Sequence, residues 1–346
     1  MAIKKSELEE FREELSSARK PLFFYDDDPD GLSSFLLVYR FVKDGKGIVV
    51  KSKPVLDQMF SKIVYEFSPD KVFVLDIPMI SDEFLQKVKT PIVWLDHHSV
   101  QEKRGAKYFN PRINDEDDNR PTSYWCWKAL EKDLPDDIWI AMVGCVGDWF
   151  LPEFASDFCR LYPDLLSGNI SKPEDALFNS ELGRLIRLFS FALKGRTNDV
   201  NMDVKILTRV KSPYELLKQL TPAGRKVYNR FLKMDNKYER LKQNALSNVK
   251  KGKILHFIYN SDETSFTSDL SNELLYLYPD KLIVIGREKS GEVKYSIRSS
   301  YLDIPSILNE IFKQIGGYGG GHKHACGACV NSNDKETFLK LLESYI

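Results

Sequence analysis

Three aspartates occupy alternate positions in the stretch FFYDDDPDGLSS, which covers residues 23–34. Asp26, Asp28 and Asp30 directly follow the apolar run PLFFY and are followed in turn by Gly31. In an extended segment, side chains two residues apart point to the same side. Carboxylate oxygens gathered in this way are the ligands that hard divalent cations prefer. The spacing therefore points to a metal site, although taken alone it also fits a solvated acidic turn.

The pattern D-x-D-x-D-G also begins a calcium loop of the helix–loop–helix type. Such a loop needs a bidentate carboxylate at its twelfth position and a helix on each side. Counted from Asp26, the twelfth residue is Leu37, and the segment before Asp26 has a strand pattern. Pro29 also suits that loop poorly. The sequence therefore argues against calcium binding at this stretch.

Three other apolar segments also end in acids or histidines. KVFVLD ends at Asp76, PIVWLD leads into Asp96, His97 and His98, and AMVGCVGD ends at Asp148. Each residue alone has a plain explanation as a turn residue, a surface acid or a polar group at a strand end. In an open α/β sheet, however, the carboxyl ends of the strands line one edge, where ligands bind. Four such segments predict that carboxylates and imidazoles meet at one site.

The elements that must position these residues alternate between strand and helix. Short apolar runs predict strands at 21–25, 47–50, 71–76 and 91–96. Apolar residues at helical spacing predict helices at 32–44, 55–67, 81–89, 122–132 and 136–148. Thr122 or Ser123 is the expected N-cap of the fourth helix, after Pro121. Strands that alternate with helices predict a doubly wound, mostly parallel sheet.

Later segments predict a change of architecture. Residues 155–252 read as a helical connector, and residues 201–253 contain 14 Lys and Arg against four Asp and Glu. This basic stretch is either a solvated helix face or a positive wall beside a phosphate-rich substrate. Strand patterns return from 253 and predict a second, smaller α/β domain over 253–346. The predicted division is thus 1–154, 155–252 and 253–346.

Composition limits the class of protein. The chain has 346 residues, of which 42% are hydrophobic and 29% charged, and its 50 basic residues balance 50 acidic ones. Net charge therefore indicates no partner. Neither an apolar signal segment nor an apolar run of membrane-spanning length occurs, and five cysteines without regular spacing argue against a disulfide framework. We therefore expect a cytoplasmic protein that does not bind a membrane.

The ordered set D-x-D-P-D-G, L-D-I-P, L-D-H-H and G-D resembles the DHH phosphoesterase superfamily, whose name Asp96, His97 and His98 spell. The later GGGH, Gly319 to His322, resembles the signature of the DHH-associated domain. The chain looks most similar to the RecJ-like and nanoRNase branch. The resemblance implies a catalytic domain over 1–154 and a substrate-binding domain over 253–346, and it covers nearly the whole chain.

The resemblance also implies a centre of two Mn²⁺ ions, with Mg²⁺ as the alternative. By position, Asp28 and Asp30 would ligate different ions, Asp76 would bridge them, and His97 and Asp148 would complete the second. Asp26 stands where many members have a histidine and would support the first ion. Other members have a histidine at the position of Phe24, which is a departure from the pattern.

Catalytic and substrate-binding roles follow from the same resemblance. His98 would contact the phosphoryl oxygen or the leaving group, and Asp96 would orient the histidines. The N-terminus of the helix after Gly31 would offer N–H groups to a phosphate. The substrate would be gripped by residues of the second domain: Arg298, Gly319, Gly320, Gly321 and His322. As an alternative, H-x-H-x-C-x-x-C, formed by His322, His324, Cys326 and Cys329, could hold zinc.

These expectations lead to a metal-dependent exonuclease that releases mononucleotides from short single-stranded RNA or DNA. A nucleotide phosphatase or a cyclic-dinucleotide phosphodiesterase could use the same site. A non-catalytic scaffold in replication is the alternative from another class, because the superfamily contains inactive members. A homodimer and partners in replication or repair stay open.

Overall fold

The computed structural model describes residues 2–51, 55–102, 105–260 and 264–346. The chain forms two compact units, Met1–Phe231 and Leu232–Ile346. A long helix crosses the boundary between them. The predicted division into three parts stays a prediction.

The first unit is an α/β structure. Within the described residues its strands are β1 Pro21–Asp26, β2 Lys46–Val50, β3 Val55–Leu56, β4 Lys71–Leu75, β5 Met79–Ile80, β6 Ile92–Leu95 and β7 Lys107–Phe109. The main sheet has the order β2-β1-β4-β6-β7 with every pair parallel, and β3 pairs with β5 in a separate ribbon. The predicted parallel sheet is confirmed.

Helices cover both faces of this sheet. Those described are α1 Lys5–Ser17, α2 Pro29–Val42, α3 Ser61–Phe67, α4 Asp82–Lys87, α5 Thr122–Leu130, α6 Ile138–Gly147, α7 Ala155–Leu161, α8 Pro173–Phe178, α9 Glu181–Ala192, α10 Thr197–Leu207, α11 Pro213–Leu217 and the boundary helix α12 Pro222–Ser247. Alternation along β1 explains the two layers, because Phe24 packs against Phe60 and Phe84 while Phe23 contacts Phe35 of α2. Buried residues on both faces explain why the strands read as continuous apolar runs.

The second unit contains a mixed sheet. Its described strands are β8 Ile254–Asn260, β9 Leu282–Lys289, β10 Glu292–Arg298, β11 Tyr318–His322 and β12 Ala325–Asn331, in the order β11-β12-β10-β9-β8. Only β8 and β9 pair in parallel. The helices are α13 Thr267–Leu277, α14 Ile304–Phe312 and α15 Lys335–Glu343. The second, smaller α/β domain is confirmed.

Local predictions failed where pairing partners are distant in sequence. The predicted helix 55–67 begins only at Ser61, because Val55 and Leu56 pair with β5. Strand β7 is too short for a period to be recognised. The glycine stretch before β12, for which no strand was predicted, forms an edge strand. Among the described residues, no helix has the length and apolarity needed to cross a membrane.

Candidate metal centre

Parallel pairing aligns the ends of three strands. Tyr25 pairs with Leu75, and Leu75 pairs with Leu95, so the next residue of each strand lies in the same row at the carboxyl edge. These next residues are Asp26, Asp76 and Asp96. The backbone N–H of Asp76 donates to Leu95 O at 3.0 Å, which continues the ladder by one residue. Strand register therefore brings the predicted carboxylates together.

The predicted metal ligands form adjoining groups. In each of three groups, the candidate ligand atoms lie within 4.8 Å of one another: Asp26, Asp28 and Asp76; Asp30, His97 and Asp148; and Asp76, His97 and His98. His97 Nε2 lies 3.4 Å from Asp76 Oδ1 and 3.6 Å from Asp148 Oδ2. The structure thus gathers all six predicted ligands at one edge, with Asp76 and His97 belonging to two groups each.

Asp28 and Asp30 are positioned by the starts of two helices. Asp28 is the N-cap of α2, and its Oδ1 accepts the Gly31 N–H at 2.8 Å. Asp30 lies in the first turn of α2, and its two oxygens accept the N–H groups of Thr122 and Ser123 at 2.8 and 2.9 Å. The predicted caps Thr122 and Ser123 are therefore wrong, because Asp30 satisfies the first N–H groups of α5 from another helix.

The start of α2 does not offer the N–H groups that the sequence suggested for a phosphate. The helix begins at Pro29, which has no N–H, and the Gly31 N–H already binds the Asp28 side chain. The expectation of a phosphate on these N–H groups is wrong for this reason. The helix start instead fixes the direction of an acidic side chain.

Asp76 has an unusual backbone conformation. Its φ of 60° lies in the left-handed region, and its side chain is buried. For a non-glycine residue this conformation costs about 1–2 kcal/mol. Thr122 Oγ1 donates to Asp76 Oδ1 at 3.1 Å, which holds the carboxylate in place. Strain of this kind concentrates at functional sites.

Electrostatics show whether the cluster fits a cation. Burial is the largest cause that raises the pKa of Asp26 to about 8, followed by the charge of Asp28. Burial, and then the charges of Asp30 and Asp28, raise the pKa of Asp76 and Asp148 well above the usual range. Acids this close cannot all be ionised without a compensating positive charge. The donor set of five carboxylates and one imidazole fits two Mn²⁺ or Mg²⁺ ions.

The second histidine, His98, is held in place by Asp96. Asp96 is fully buried, and it accepts the His98 backbone N–H at 3.1 Å and contacts His98 Nδ1 at 2.8 Å. Burial alone would lower the pKa of His98, but the hydrogen bond and charge of Asp96, with Asp148 and Asp28, outweigh burial and raise this pKa to about 9. The raised pKa favours the protonated imidazole, in which Nδ1 donates to Asp96.

Sequence reasoning missed Asn110 and Arg112. The Asn110 side-chain amide donates to His98 O at 3.0 Å, and its Oδ1 accepts the Arg112 N–H at 2.8 Å. The positive charge of Arg112 lowers the pKa of Asp148, against the effect of burial. An Asn-Pro pair after the short run KYF was the available signal, but β7 had not been recognised as a strand.

The glycines proposed for substrate binding form β11. A side chain at Gly321, which has φ 146°, would clash with Ala325 O, and one at Gly319 would come within 2.6 Å of Gly327 O. Gly320 has open space instead. His322 ends this exposed strand. Close approach of the neighbouring strand β12 therefore excludes a side chain at Gly319 and Gly321, whereas Gly320 exposes its backbone.

Arg298 is held by neutral acceptors. Its Nε donates to Asn272 Oδ1 at 2.8 Å, and one Nη donates to the carbonyls of Ile297 and Cys326 at 3.0 and 3.4 Å. Burial lowers the pKa of Arg298 to about 10. A partly buried cation without a carboxylate among its described hydrogen bonds suits an anionic ligand.

The zinc alternative does not fit the second unit. Cys326 and Cys329 lie three residues apart in β12, so their side chains point to opposite faces of the sheet. His324 Nδ1 lies 3.0 Å from Leu302 O, and Cys326 Sγ donates to His322 O. The candidate metal groups found among the described residues do not include these four side chains.

Comparison with known proteins gives the fold. Residues 252–346 match the family profile of the DHHA1 domain. No curated protein sequence matches the chain. A solved RecJ from Thermus thermophilus, in complex with Mn²⁺, is 14% identical with a TM-score of 0.69; the match covers 98% of this chain and 54% of that RecJ. This chain thus spans about half the length of that protein.

Two shorter proteins match along almost their whole length. A pGpG-specific phosphodiesterase, PggH, from Vibrio cholerae is 12% identical with a TM-score of 0.53, covering 94% of this chain and 98% of its own. CDC45 from Entamoeba histolytica is 8% identical with a TM-score of 0.57, covering 98% of both chains. At such identities the likeness concerns the fold.

Proposed function

We propose that this chain is a RecJ-like member of the DHH phosphoesterase superfamily and a Mn²⁺-dependent phosphodiesterase; its fold and its match to the DHHA1 domain support this proposal. The observation that carries the proposal is the convergence of Asp26, Asp28, Asp30, Asp76, His97 and Asp148 at one edge of the sheet. Five carboxylates with raised pKa values are unsuited to a structural role, because they repel one another when ionised.

The ligand groups suggest how two ions would be shared. Asp26, Asp28 and Asp76 would hold one ion, and Asp30, His97 and Asp148 would hold the other. Asp76 lies close to both groups and is the candidate bridge. When bound, two divalent cations offset the charge of a phosphodiester and lower the pKa of water.

The chain's own residues would orient the substrate. His98 Nδ1 is engaged by Asp96, so Nε2 is the ring atom that would donate to a phosphoryl oxygen. The hydrogen bond and charge of Asp96 raise the pKa of His98, which favours the protonated, donating form of the ring. Asn110 holds the His98 carbonyl and so limits movement of the ring. Asp96 and Asn110 would act through His98 as positioning residues.

Short single-stranded oligonucleotides are the proposed substrate, with mononucleotides as the product. The match to a pGpG-specific phosphodiesterase, which covers 98% of that chain, supports a short substrate. The same match favours a dinucleotide phosphodiesterase as the second candidate. The basic stretch at 201–253 is consistent with either phosphate-rich substrate.

The test is Mn²⁺-dependent cleavage of a five-nucleotide RNA labelled at either end. We expect stepwise release of mononucleotides, and the position of the label gives the direction of digestion. Asp76→Asn is the sharpest variant, because asparagine tolerates a left-handed backbone and removes only the charge. Asp133→Asn, at an exposed ion pair with Arg12, is the matched control and should keep full activity.

Two results would contradict the proposal. Cleavage by Asp76→Asn or by His97→Ala at the wild-type rate would show that the substituted residue is not needed for cleavage. A wild-type protein that binds Mn²⁺ but cleaves neither the RNA nor pGpG would instead favour a scaffold, and the fold that the chain shares with CDC45 allows that outcome.

A further inference from the structure

A lysine lies next to the candidate metal centre, on the side of the edge strand β2. Lys51 directly follows β2, whose last residue Val50 pairs with Asp26, so Lys51 is at the same sheet edge as the metal ligands. Its Nζ lies 3.8 Å from Asp27 Oδ1, and it donates a hydrogen bond to Leu193 O. Asp27 stands in the chain between two candidate ligands. Lys51 is therefore a cation at the border of the centre.

The end of α9 brings a second lysine to the same place. The Leu193 carbonyl that binds Lys51 belongs to the peptide bond joining Leu193 to Lys194. Arg230 donates to the carbonyls of Phe191 and Ala192 at 3.3 Å each, and also to that of Lys194. The backbone at Lys194 is therefore fixed beside Lys51.

Three cations and two carboxylates interact at this place: Lys51, Lys194 and Arg230 with Asp27 and Asp203. Burial is the largest cause that lowers the pKa of Lys51, and the charges of Lys194 and Arg230 lower it further, while Asp27 acts in the opposite direction. Asp203 is buried and pairs with Arg230. Asp27 is the carboxylate beside Lys51, with Oδ1 3.8 Å from Nζ. A local excess of cations favours binding of an anion.

Helix capping explains only part of this arrangement. A cation at a helix C-terminus satisfies the last carbonyls and interacts favourably with the helix dipole. At α9, Arg230 already binds the carbonyls of residues 191, 192 and 194. Lys51 completes the set at Leu193, so Lys194 is a further charge that capping does not require.

We propose that Lys51 and Lys194 form a subsite for a second, non-scissile phosphate of the substrate. This inference rests on the proposed function, because it places the second phosphate beside the one that would be cleaved at the metal centre. Lysine binds phosphate as a point charge, without a fixed geometry, and so can accept a terminal phosphate or a backbone phosphate. Dinucleotides with a phosphate at the 5′ end or at the 3′ end show on which side of the scissile bond the second phosphate binds.

The kinetic test compares three dinucleotides, ApA, pApA and ApAp. We expect one of the two terminal phosphates to lower the KM of the wild-type protein by about tenfold, the usual scale of one charge-assisted contact. Lys51→Gln and Lys194→Gln should each remove most of this advantage, measured against the KM of the same variant for ApA. Glutamine at residue 51 keeps a donor for Leu193 O, so the variant removes charge and retains the hydrogen bond.

Lys46→Gln is the matched control. Lys46 is the first residue of β2, so it lies at the amino ends of the strands, whereas the candidate ligands lie at the carboxyl ends. The same change of charge there should leave all three KM values unchanged. Lys51→Arg should restore the phosphate advantage. The inference is overturned if neither terminal phosphate lowers KM in the wild type. It is also overturned if the advantage persists in both glutamine variants.

A binding experiment separates failure of the subsite from failure of the proposed activity. Calorimetry with Mn²⁺ would use dinucleotides that have an uncharged methylphosphonate linkage, with and without the terminal phosphate. A gain in affinity from the terminal phosphate that is lost in Lys51→Gln supports the subsite, even if the protein cleaves no dinucleotide. Equal gains in wild type and Lys51→Gln overturn it, even if the protein is active.

Discussion

The strand ends of the first unit and the glycine strand of the second unit are built on opposite physical principles. The first region gathers buried and partly buried acids, four of which contact a backbone N–H, a hydroxyl or a histidine. The second offers an exposed strand whose central residues, Gly319 to Gly321, have no side chains. Its nearby cation, Arg298, is held by neutral acceptors. One region concentrates charge, and the other provides access to backbone.

The difference indicates what each region needs from a ligand. Among the acids, each ionised carboxylate raises the pKa of its neighbours. A bound cation would reduce this repulsion between the carboxylates. At β11, space at Gly320 and the neutral contacts of Arg298 suit a ligand that approaches closely and carries negative charge. A metal ion should therefore change the first region and leave the second unaffected.

Mn²⁺ addition is the strongest test of this contrast. At a concentration of 100 times Kd, the ion should stabilise the folded protein by about 2.7 kcal/mol. Because ions bind deprotonated carboxylates and the Asp26 pKa is raised to about 8, affinity should rise with pH and level off near pH 8. Thermal unfolding measures the gain in stability, and calorimetry measures the Mn²⁺ affinity at each pH. Hydrogen exchange should slow at Gly31, Thr122 and Ser123, and equal slowing in β11 would contradict the contrast.

Asp96→Asn should produce the next largest effect. The variant loses the charge that raises the pKa of His98, so this pKa should fall towards its usual value. We expect kcat to decrease about 10–100-fold, the range for residues that orient a functional histidine. The alkaline limb of the pH–rate profile should move to lower pH. An unchanged profile, measured beside Asp133→Asn, would show that Asp96 does not act through His98.

Glycine-to-alanine changes test the second region through stability. In Gly321→Ala, the alanine would have to adopt a backbone conformation that favours glycine, and its Cβ would clash with Ala325 O. The variant should therefore destabilise this unit by about 1–3 kcal/mol. Gly320→Ala meets open space and should leave stability unchanged. Denaturant unfolding of the two variants gives the comparison. If Gly320 contacts substrate, its variant should raise KM only, and equal destabilisation by both changes would contradict the geometry.

Arg298→Gln should have the smallest of these effects. Glutamine keeps a donor for neighbouring carbonyls but removes the positive charge, so KM for an oligonucleotide should rise about tenfold. Mn²⁺ affinity and kcat should stay as in the wild type, because the change leaves the first unit intact. A loss of Mn²⁺ binding would break the separation between the two regions.

Most of the fold could be predicted because its strands are continuous apolar runs with polar residues at their ends. Strands at 21–25, 71–76 and 91–96 were predicted nearly to the residue. The three-residue β7 and the ribbon of β3 with β5 could not be, because segments this short depend on their partners rather than on periodicity. The glycine edge strand was missed for the same reason.

The candidate site divides in the same way. Residue types and segment ends predicted that carboxylates and imidazoles meet at one edge, because parallel strands place their carboxyl ends together. The resemblance to the DHH phosphoesterase superfamily then selected the six candidate ligands. The contacts of Asp30 with the start of α5, of Thr122 with Asp76 and of Asn110 with His98 were not foreseeable. Each joins segments whose approach depends on helix packing.

The amino-acid sequence by itself determined which side chains could meet, since side-chain alternation and the succession of strands and helices follow from local patterns. Only the tertiary structure decided how they are held: the left-handed turn at Asp76, the capping of α5 by Asp30, and the lysines beside Asp27. The physical reason is that hydrogen bonds and charge interactions act over a few ångströms. Their strength therefore depends on distances between segments that are remote in the chain.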